Sequence, residues 1–186
     1  MVASSMLMLL LTAIFGAFQI ASSTFFKADA QTDMLQGIEG VGSRWCKDIE
    51  GSQAAGVSAG PTAISVPTAR DDPGNFVLDA TGSKRVWQRY HVYFYDATAQ
   101  TVSLRDVPIA SPTTSLTPIE AYNDGSGTHP LTYWATGGRV LARQVITFTP
   151  VANARLFSLS LQANQKRYGS EKSEEVFHSF VVATRN

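Results

Sequence analysis

This chain of 186 residues is poor in charge, and its first 26 residues carry none. Charged residues make up 16% of the chain, compared with roughly 25% in a typical soluble domain. Because 15 basic residues balance 15 acidic ones, the net charge gives no electrostatic case for broad nucleic-acid binding or for attraction to an anionic surface. Cys46 is the only cysteine, which excludes an intramolecular disulfide and leaves the redox compartment undetermined.

The uncharged segment, residues 1–26, has no proline and is rich in Leu, Met, Ala and Phe. It is long enough to cross a bilayer as a helix. One interpretation is a secretory signal cleaved after Ala30, where Ala28-Asp29-Ala30 forms an Ala-x-Ala pattern. A signal peptide normally has a positively charged beginning, and no Lys or Arg precedes the apolar run. We therefore favour the second interpretation, in which this segment is retained as the first half of a long helix.

The second half of that helix is predicted over residues 27–50, where apolar residues form one stripe at helical period. Cys46 lies within this pattern and is interpreted as a small apolar residue. The stripe predicts packing against the head of the same chain or against neighbouring chains. Three glycines weaken the helix by roughly 1 kcal/mol each relative to Ala, so it needs tertiary support, and they permit a bend or close packing. The stripe consists of Met34, Ile38, Val41, Trp45 and Ile49, and the glycines are Gly37, Gly40 and Gly42.

Residues 51–186 are predicted to form a β-rich head. Strand patterns separated by turns, with no helices between them, indicate an antiparallel sheet that buries one face against the amphipathic helix. The predicted fold class is therefore α+β, a long N-terminal helix packed on an antiparallel sheet. Strands are predicted at residues 63–66, 85–96, 101–107, 140–149, 155–163 and 176–184, and loops at 51–61, 108–118 and 123–130.

Five segments, at residues 1–7, 31–50, 87–96, 140–148 and 180–186, follow one another in an order and spacing typical of one protein family. They resemble the type IV filament pilins, and more narrowly the PilW-type minor pilins and the J-type pseudopilins of type II secretion. Residues 1–7 are similar to the sequence that follows the processing motif of pilin precursors, and residues 31–50 to the segment where the pilin helix leaves the membrane. Residues 87–96, 140–148 and 180–186 resemble, in order, two strands and the ending typical of these proteins. The processing glycine, the methylated aromatic residue and the glutamate are missing, so we expect Met1 to be internal to a longer precursor.

The resemblance implies a structural subunit that primes, caps or decorates a type IV pilus-like or type II secretion filament, and not an enzyme. It implies a single-pass protein of the inner membrane with an extracytoplasmic head, found in the filament after assembly. The implied partners are other pilins or pseudopilins through the helix, a prepilin peptidase and the inner-membrane assembly platform; no cofactor or nucleic acid is expected. The alternative is a membrane-anchored or secreted β-rich binding or adhesion module.

In this interpretation the apolar half of the helix lies in the membrane before assembly and packs in the filament core afterwards. A membrane helix satisfies its backbone polar groups internally. Each apolar side chain buried against neighbouring helices then contributes roughly 1.5–3 kcal/mol. Gly16 is a place where the helix can bend or melt locally when it is packed. The candidate membrane and filament-core residues are Leu7, Leu10, Leu11, Ile14, Phe15, Gly16 and Phe18.

Two motifs of catalytic or metal chemistry have simpler interpretations. Residues 56–60 match the Gly-x-Ser-x-Gly nucleophile elbow around Ser58, but the strand–turn–helix context is missing and a flexible linker is favoured. His91, His129 and His178 match no metal-binding spacing. The simplest interpretation of His91 and His178 is as sheet-face residues.

Two further segments could bind ligands. Residues 123–128 offer oxygen ligands for Ca²⁺ but lack the full loop signature, so a polar turn is favoured. Lys84, Arg85 and Arg89, interleaved with Trp87 and Tyr90, could contact single-stranded nucleic acid. We favour a core role for these aromatic residues and expect no nucleic-acid partner.

Overall fold

The computed structural model describes residues 2–71, 74–166 and 173–184. One helix, α1, runs without a break from Val2 to Glu50, which at 1.5 Å per residue corresponds to about 73 Å. It ends where the Gly51 amide bonds to the Lys47 carbonyl at 3.2 Å. Met1, Arg185 and Asn186, which belong to the segments of the resemblance, lie outside the described residues.

The remainder of the described chain is built mainly from two antiparallel sheets, which confirms the α+β class. The first sheet has the strand order β1-β2-β3-β4-β5. The strands predicted at residues 85–96 and 101–107 are present and pair with each other, with Asp96 opposite Thr101. Its strands are β1 Ser58–Ala59, β2 Ala63–Thr68, β3 Trp87–Asp96, β4 Thr101–Thr113 and β5 Arg139–Arg143.

The second sheet corrects the prediction of one continuous strand over residues 140–149. The structure divides that segment at Gln144, which has a positive φ of 60°. Its carbonyl accepts the Asn164 amide at 2.9 Å, and the next amide, that of Val145, bonds to the Gln100 carbonyl. The chain therefore leaves the first sheet and enters a second one of order β6-β7-β8, formed by β6 Val145–Asn153, β7 Leu156–Lys166 and β8 Ser173–Ala183.

The predicted loop at residues 108–118 is also corrected, because β4 continues to Thr113. β5 pairs with β4 only at residues 101–104, so the later part of β4 has no strand partner on that side. Proline is tolerated in such an edge position because no ladder hydrogen bond is lost there. Pro108 and Pro112 therefore do not end the strand. A 3₁₀ turn, Ile119–Ala121, and a one-turn helix α2, Leu131–Trp134, follow it.

The first sheet is buried on both faces, not only on the face next to the helix. α1 and the inner faces of both sheets enclose the larger core, which contains Trp45, Tyr93 and Phe157. The opposite face of the first sheet packs against Ile119, Leu131 and Trp134, which cover a second cluster. Because the ladder shifts register between Trp87 and Arg89, Trp87 joins this second cluster instead of following strict alternation with Tyr93. The second cluster also contains Tyr90, Val92 and Phe94.

One helix glycine permits close approach between α1 and the second sheet. A Cβ atom added at Gly42 would lie 2.0–2.3 Å from three ring atoms of Phe180. That ring also stacks on His178, with centroids 4.6 Å apart, so displacing it would break a second contact. Gly40 lies half a turn away and is exposed, and an added Cβ would meet nothing within 4 Å.

Alanine substitutions at Gly40 and Gly42 are expected to have different effects on stability. Gly40→Ala should raise the free energy of unfolding by about 1 kcal/mol through helix propensity. The free energy of unfolding of Gly42→Ala should be lower than that of Gly40→Ala by about 1–3 kcal/mol, because the added methyl group overpacks against Phe180. Denaturant unfolding of the full chain in mild detergent, followed by tryptophan fluorescence, measures both. Equal effects of the two alanines would contradict the close contact, and Phe180→Leu should rescue Gly42→Ala.

Candidate functional site

The first half of α1 is an exposed apolar surface. The large apolar residues between Met6 and Phe26 are 49–73% exposed. They include six of the residues assigned to the membrane or filament core: Leu7, Leu10, Leu11, Ile14, Phe15 and Phe18. Gly16 lies mid-span with nothing within 4 Å of an added Cβ, and α1 is helical through it.

Polar side chains in this half are bonded back to their own helix. The Thr12 hydroxyl donates to the Met8 carbonyl at 2.7 Å, and the Thr24 hydroxyl to the Ile20 carbonyl at 2.9 Å. Such bonds satisfy hydroxyls without water, as an apolar environment requires. The helix is long and apolar enough to span a membrane, by length and composition, and a signal sequence near an N-terminus meets the same criterion.

Contacts between α1 and the head include those of the first charged residue of the chain. The Lys27 ammonium lies 3.2 Å from Glu174 Oε1. One turn later, the Gln31 amide donates to Glu174 Oε2 at 3.2 Å. Both contacts join the helix to β8 just after the uncharged segment.

The stripe of α1 lies in the main core. Met34, the outermost residue, is 4% exposed, and the other four residues are 0–1% exposed. They pack with apolar residues from both sheets, so the helix closes the open side between the two sheets. The four are Ile38, Val41, Trp45 and Ile49.

A buried polar cluster links the end of α1 to β3. The Tyr93 hydroxyl donates to Asp48 Oδ2 at 2.5 Å, and His91 Nδ1 lies 2.7 Å from the same oxygen. The other ring nitrogen, Nε2, lies 3.2 Å from Asp106 Oδ1. Two carboxylates therefore hold the orientation of the imidazole. Burial, and then the neighbouring Asp48 carboxylate, raise the pKa of Tyr93 well above its ordinary value, so the phenol stays a donor.

This cluster was not predicted from the sequence, in which His91 was interpreted as a sheet-face residue. His91 does lie on β3, but it is only 8% exposed. The one available signal was the alternation of β3, which puts His91 and Tyr93 on one face. Their meeting with Asp48 depends on how α1 crosses the sheet.

Removal of the central carboxylate is expected to destabilise the head more than removal of one donor. Asp48→Ala leaves the Tyr93 hydroxyl and a His91 nitrogen without their acceptor, at a cost of about 1–3 kcal/mol for each buried group. Tyr93→Phe removes one donor and should cost about 1 kcal/mol. Chemical denaturation of both variants in mild detergent measures the difference. A smaller loss for Asp48→Ala than for Tyr93→Phe would contradict the central role of Asp48.

Ser58 lies on the short strand β1 and is buried. Its hydroxyl donates to the Glu120 carboxylate in the 3₁₀ turn at residues 119–121. A nucleophilic serine needs an adjacent base such as histidine. In the described chain the hydrogen-bonding partners of His91 and His129 are other residues, Asp48 for the first and Ser126 for the second. The Ser58 hydroxyl therefore links two segments of the head.

The segment at residues 123–128 forms a polar turn whose oxygens are engaged. Asn123 Oδ1 accepts the Gly125 amide at 2.8 Å, and Asp124 Oδ1 accepts both the amide and the hydroxyl of Ser126. The Ser126 hydroxyl and then its amide lower the pKa of Asp124 by stabilising the carboxylate. The His129 ring stacks on the Tyr133 ring, with their centroids 3.9 Å apart. Over the described ranges, no group of three or more His, Cys, Asp or Glu residues is placed to hold a metal ion.

The basic and aromatic residues at positions 84–90 do not form one stacking surface. Trp87 and Tyr90 are 1% and 2% exposed, so their rings are not accessible to bases. Arg85 donates to the Gly51 carbonyl at 2.7 Å and lies over the Phe76 ring. Lys84 lines a surface pocket with Arg85, whereas Arg89 faces a different cleft beside α1.

Comparisons with models of protein families, with curated proteins and with solved structures found no match to this chain.

Proposed function

We propose that this protein is a minor pilin or pseudopilin, a structural subunit that primes, caps or decorates a type IV pilus-like or type II secretion filament. The apolar half of α1 anchors the subunit in the inner membrane before assembly and packs among other pilin helices afterwards. A prepilin peptidase and the membrane assembly platform act on it, and the head is extracytoplasmic. The proposal assigns the chain no enzymatic activity.

The continuity of α1 is the observation that supports this proposal most strongly. One helix of 49 residues exposes its apolar first half and buries a stripe of its second half in the head. A helix that only anchored the head would not need rigid continuity with the core. In a filament that continuity couples the position of the head to the packing of the helix. Each exposed apolar side chain that is covered contributes roughly 1.5–3 kcal/mol.

The first test is the mass and N-terminal sequence of native protein recovered from membranes and from sheared filaments. We expect a start upstream of Met1, a methylated first residue and recovery in the filament fraction. A start at Gln31 would overturn the proposal, because it would mean that the apolar half is removed by signal peptidase.

Photo-crosslinking tests the packing of the helix directly. A photoreactive benzoyl-phenylalanine placed at Phe15 or Phe18 should crosslink to the helices of other pilins when filaments assemble. The matched control is the same residue at Ala97, which is exposed on the β3–β4 turn of the head. Crosslinks only to lipid at Phe15 and Phe18 in assembling cells would contradict a place in the filament core.

The alternative is a secreted or membrane-anchored binding module, and one observation favours it. Cleavage after Ala30 would remove the exposed apolar surface but leave the whole buried stripe, which begins at Met34. Such a product would lose the ion pair between Lys27 and Glu174 and keep the core. The N-terminal sequence therefore decides between the two functions.

A further inference from the structure

A cleft of about 970 Å³ lies beside the C-terminal part of α1, where the helix passes the first sheet. Five helix residues at positions 40, 43, 44, 47 and 48 line one side of it, and residues of β2 to β5 contribute to the opposite side. The first two are Gly40 and Ser43, whose small size leaves the cleft open. Its volume lies within the range of small-molecule sites, about 300–1,000 Å³.

The three carboxylates that line this cleft are already engaged within the protein. Asp48 bonds to Tyr93 and His91, and Asp106 Oδ1 lies 3.2 Å from His91 Nε2. Asp71 Oδ1 accepts the Asn75 amide at 2.7 Å. These bonds leave the three negative charges in place, but the lysine and arginine side chains that line the cleft outnumber them five to three.

Five cationic side chains line the same cleft. Within the described ranges, no carboxylate oxygen lies within 4.0 Å of the side-chain nitrogens of four of them, Arg44, Lys47, Arg70 and Arg139. Arg44 Nε is buried and has no hydrogen-bond acceptor among the described residues. In the described chain, the charge of Arg44 is therefore not paired with a carboxylate.

The arginines are also held in place before any ligand arrives. Arg70 donates to the Gly74 carbonyl at 2.7 Å, and its guanidinium carbon lies 4.0 Å from the centre of the Phe76 ring. Arg44 lies beside the Tyr93 hydroxyl, on the edge of the buried polar cluster. Guanidinium groups held in this way match carboxylate and phosphate oxygens with paired hydrogen bonds.

We propose that this cleft binds a small organic anion that carries two or more carboxylate or phosphate groups. Arg44 and Lys47 from the helix and Arg139 from β5 contact its charged groups from opposite sides. Asp106, through the carboxylate oxygen that does not contact His91, and the hydroxyls of Ser43 and Thr68 offer partners for hydroxyl groups of the ligand. The inference does not depend on filament assembly, because the cleft belongs to the head.

Isothermal titration of the full chain in a neutral detergent tests this site with citrate and with pyrophosphate as probes. At a fixed ionic strength, we expect at least one of the two to bind, and to raise the melting temperature of the head. The double variant Lys47→Gln/Arg139→Gln should weaken binding by at least about tenfold. Both residues are exposed, so this variant should leave the fold intact. Arg44→Lys should retain part of the affinity because it keeps the charge.

The matched control is Lys84→Gln/Arg155→Gln, which removes the same charge from exposed positions outside the cleft. It should bind the probes as the unchanged protein does. Three results would overturn the proposal: no binding of either probe at millimolar concentration, equal weakening by the control variant, or tighter binding of a hexaglutamate peptide than of both small anions. The last result would assign the cleft to an acidic protein segment.

Discussion

Arginine at both Leu10 and Ile14 is expected to release this protein from the membrane fraction. Both residues lie in the uncharged half of α1 and are 60% and 56% exposed, as the proposed membrane and filament-core role requires. An arginine near the centre of a spanning helix costs about 2.5–3.5 kcal/mol on insertion-based scales. Two should reduce insertion by a factor between several thousand and about a hundred thousand, since about 1.4 kcal/mol corresponds to tenfold. Membrane flotation and carbonate extraction measure the retained fraction.

The matched control places two arginines in the amphipathic half of α1, at Thr32 and Gln36, with the same spacing of four residues. These residues are also exposed, and they lie on the part of α1 that contacts the head. The control should remain in the membrane fraction and keep a folded head. Full retention of the Leu10/Ile14 variant in the membrane would contradict the assignment of residues 1–26 to the bilayer. Loss of both variants would point to a general effect of added charge.

Trp45→Ala is expected to cause the largest loss of stability of any single substitution in α1. Trp45 is 0% exposed at the centre of the stripe, among apolar residues of both sheets. Truncation of a buried tryptophan to alanine typically costs about 3–5 kcal/mol. Its indole nitrogen has no hydrogen-bond partner in the described chain, so the loss reports packing alone. Guanidinium unfolding in mild detergent, followed by the fluorescence of the buried Trp87 and Trp134, measures it.

Leu35→Ala on the same helix is the control for that measurement. Leu35 is 38% exposed and lies off the stripe, so its truncation should cost less than about 1 kcal/mol. Similar losses for Leu35→Ala and Trp45→Ala would mean that α1 does not close the core. A second readout is limited proteolysis, in which Trp45→Ala should expose the Gly51–Gly60 region to cleavage before the sheets are attacked.

The helix α1 and the strand β3 could be predicted from local sequence patterns. Apolar residues spaced three or four apart can share a face only in a helix, and the five residues so spaced are those that the structure buries. The sequence pattern also predicted strands at residues 85–96 and 101–107, and the structure contains both, paired with each other. These patterns depend on neighbouring residues alone, so they can be read without knowing the rest of the fold.

The errors occurred where contacts between distant segments decide the local conformation. Gln144 has no turn signal of its own, and its positive φ is held by bonds at and beside it to Asn164 and Gln100. Pro108 and Pro112 normally end a strand, but they are accepted because β5 pairs only with the beginning of β4. Likewise, the bulge after Trp87 moves that ring to the opposite face of the sheet.

The sequence by itself determined the division of α1 into an uncharged half and an amphipathic half, and the β-rich class of the head. Composition and periodicity are local properties, and they decide which side chains avoid water and on which face they lie. Only the tertiary structure decided that two sheets enclose the stripe, that Gly42 meets Phe180, and that Asp48 meets His91. The cleft with Arg44 and Arg139 arises in the same way. These contacts join residues far apart in the chain, and their partners are set by how the helix crosses the sheets.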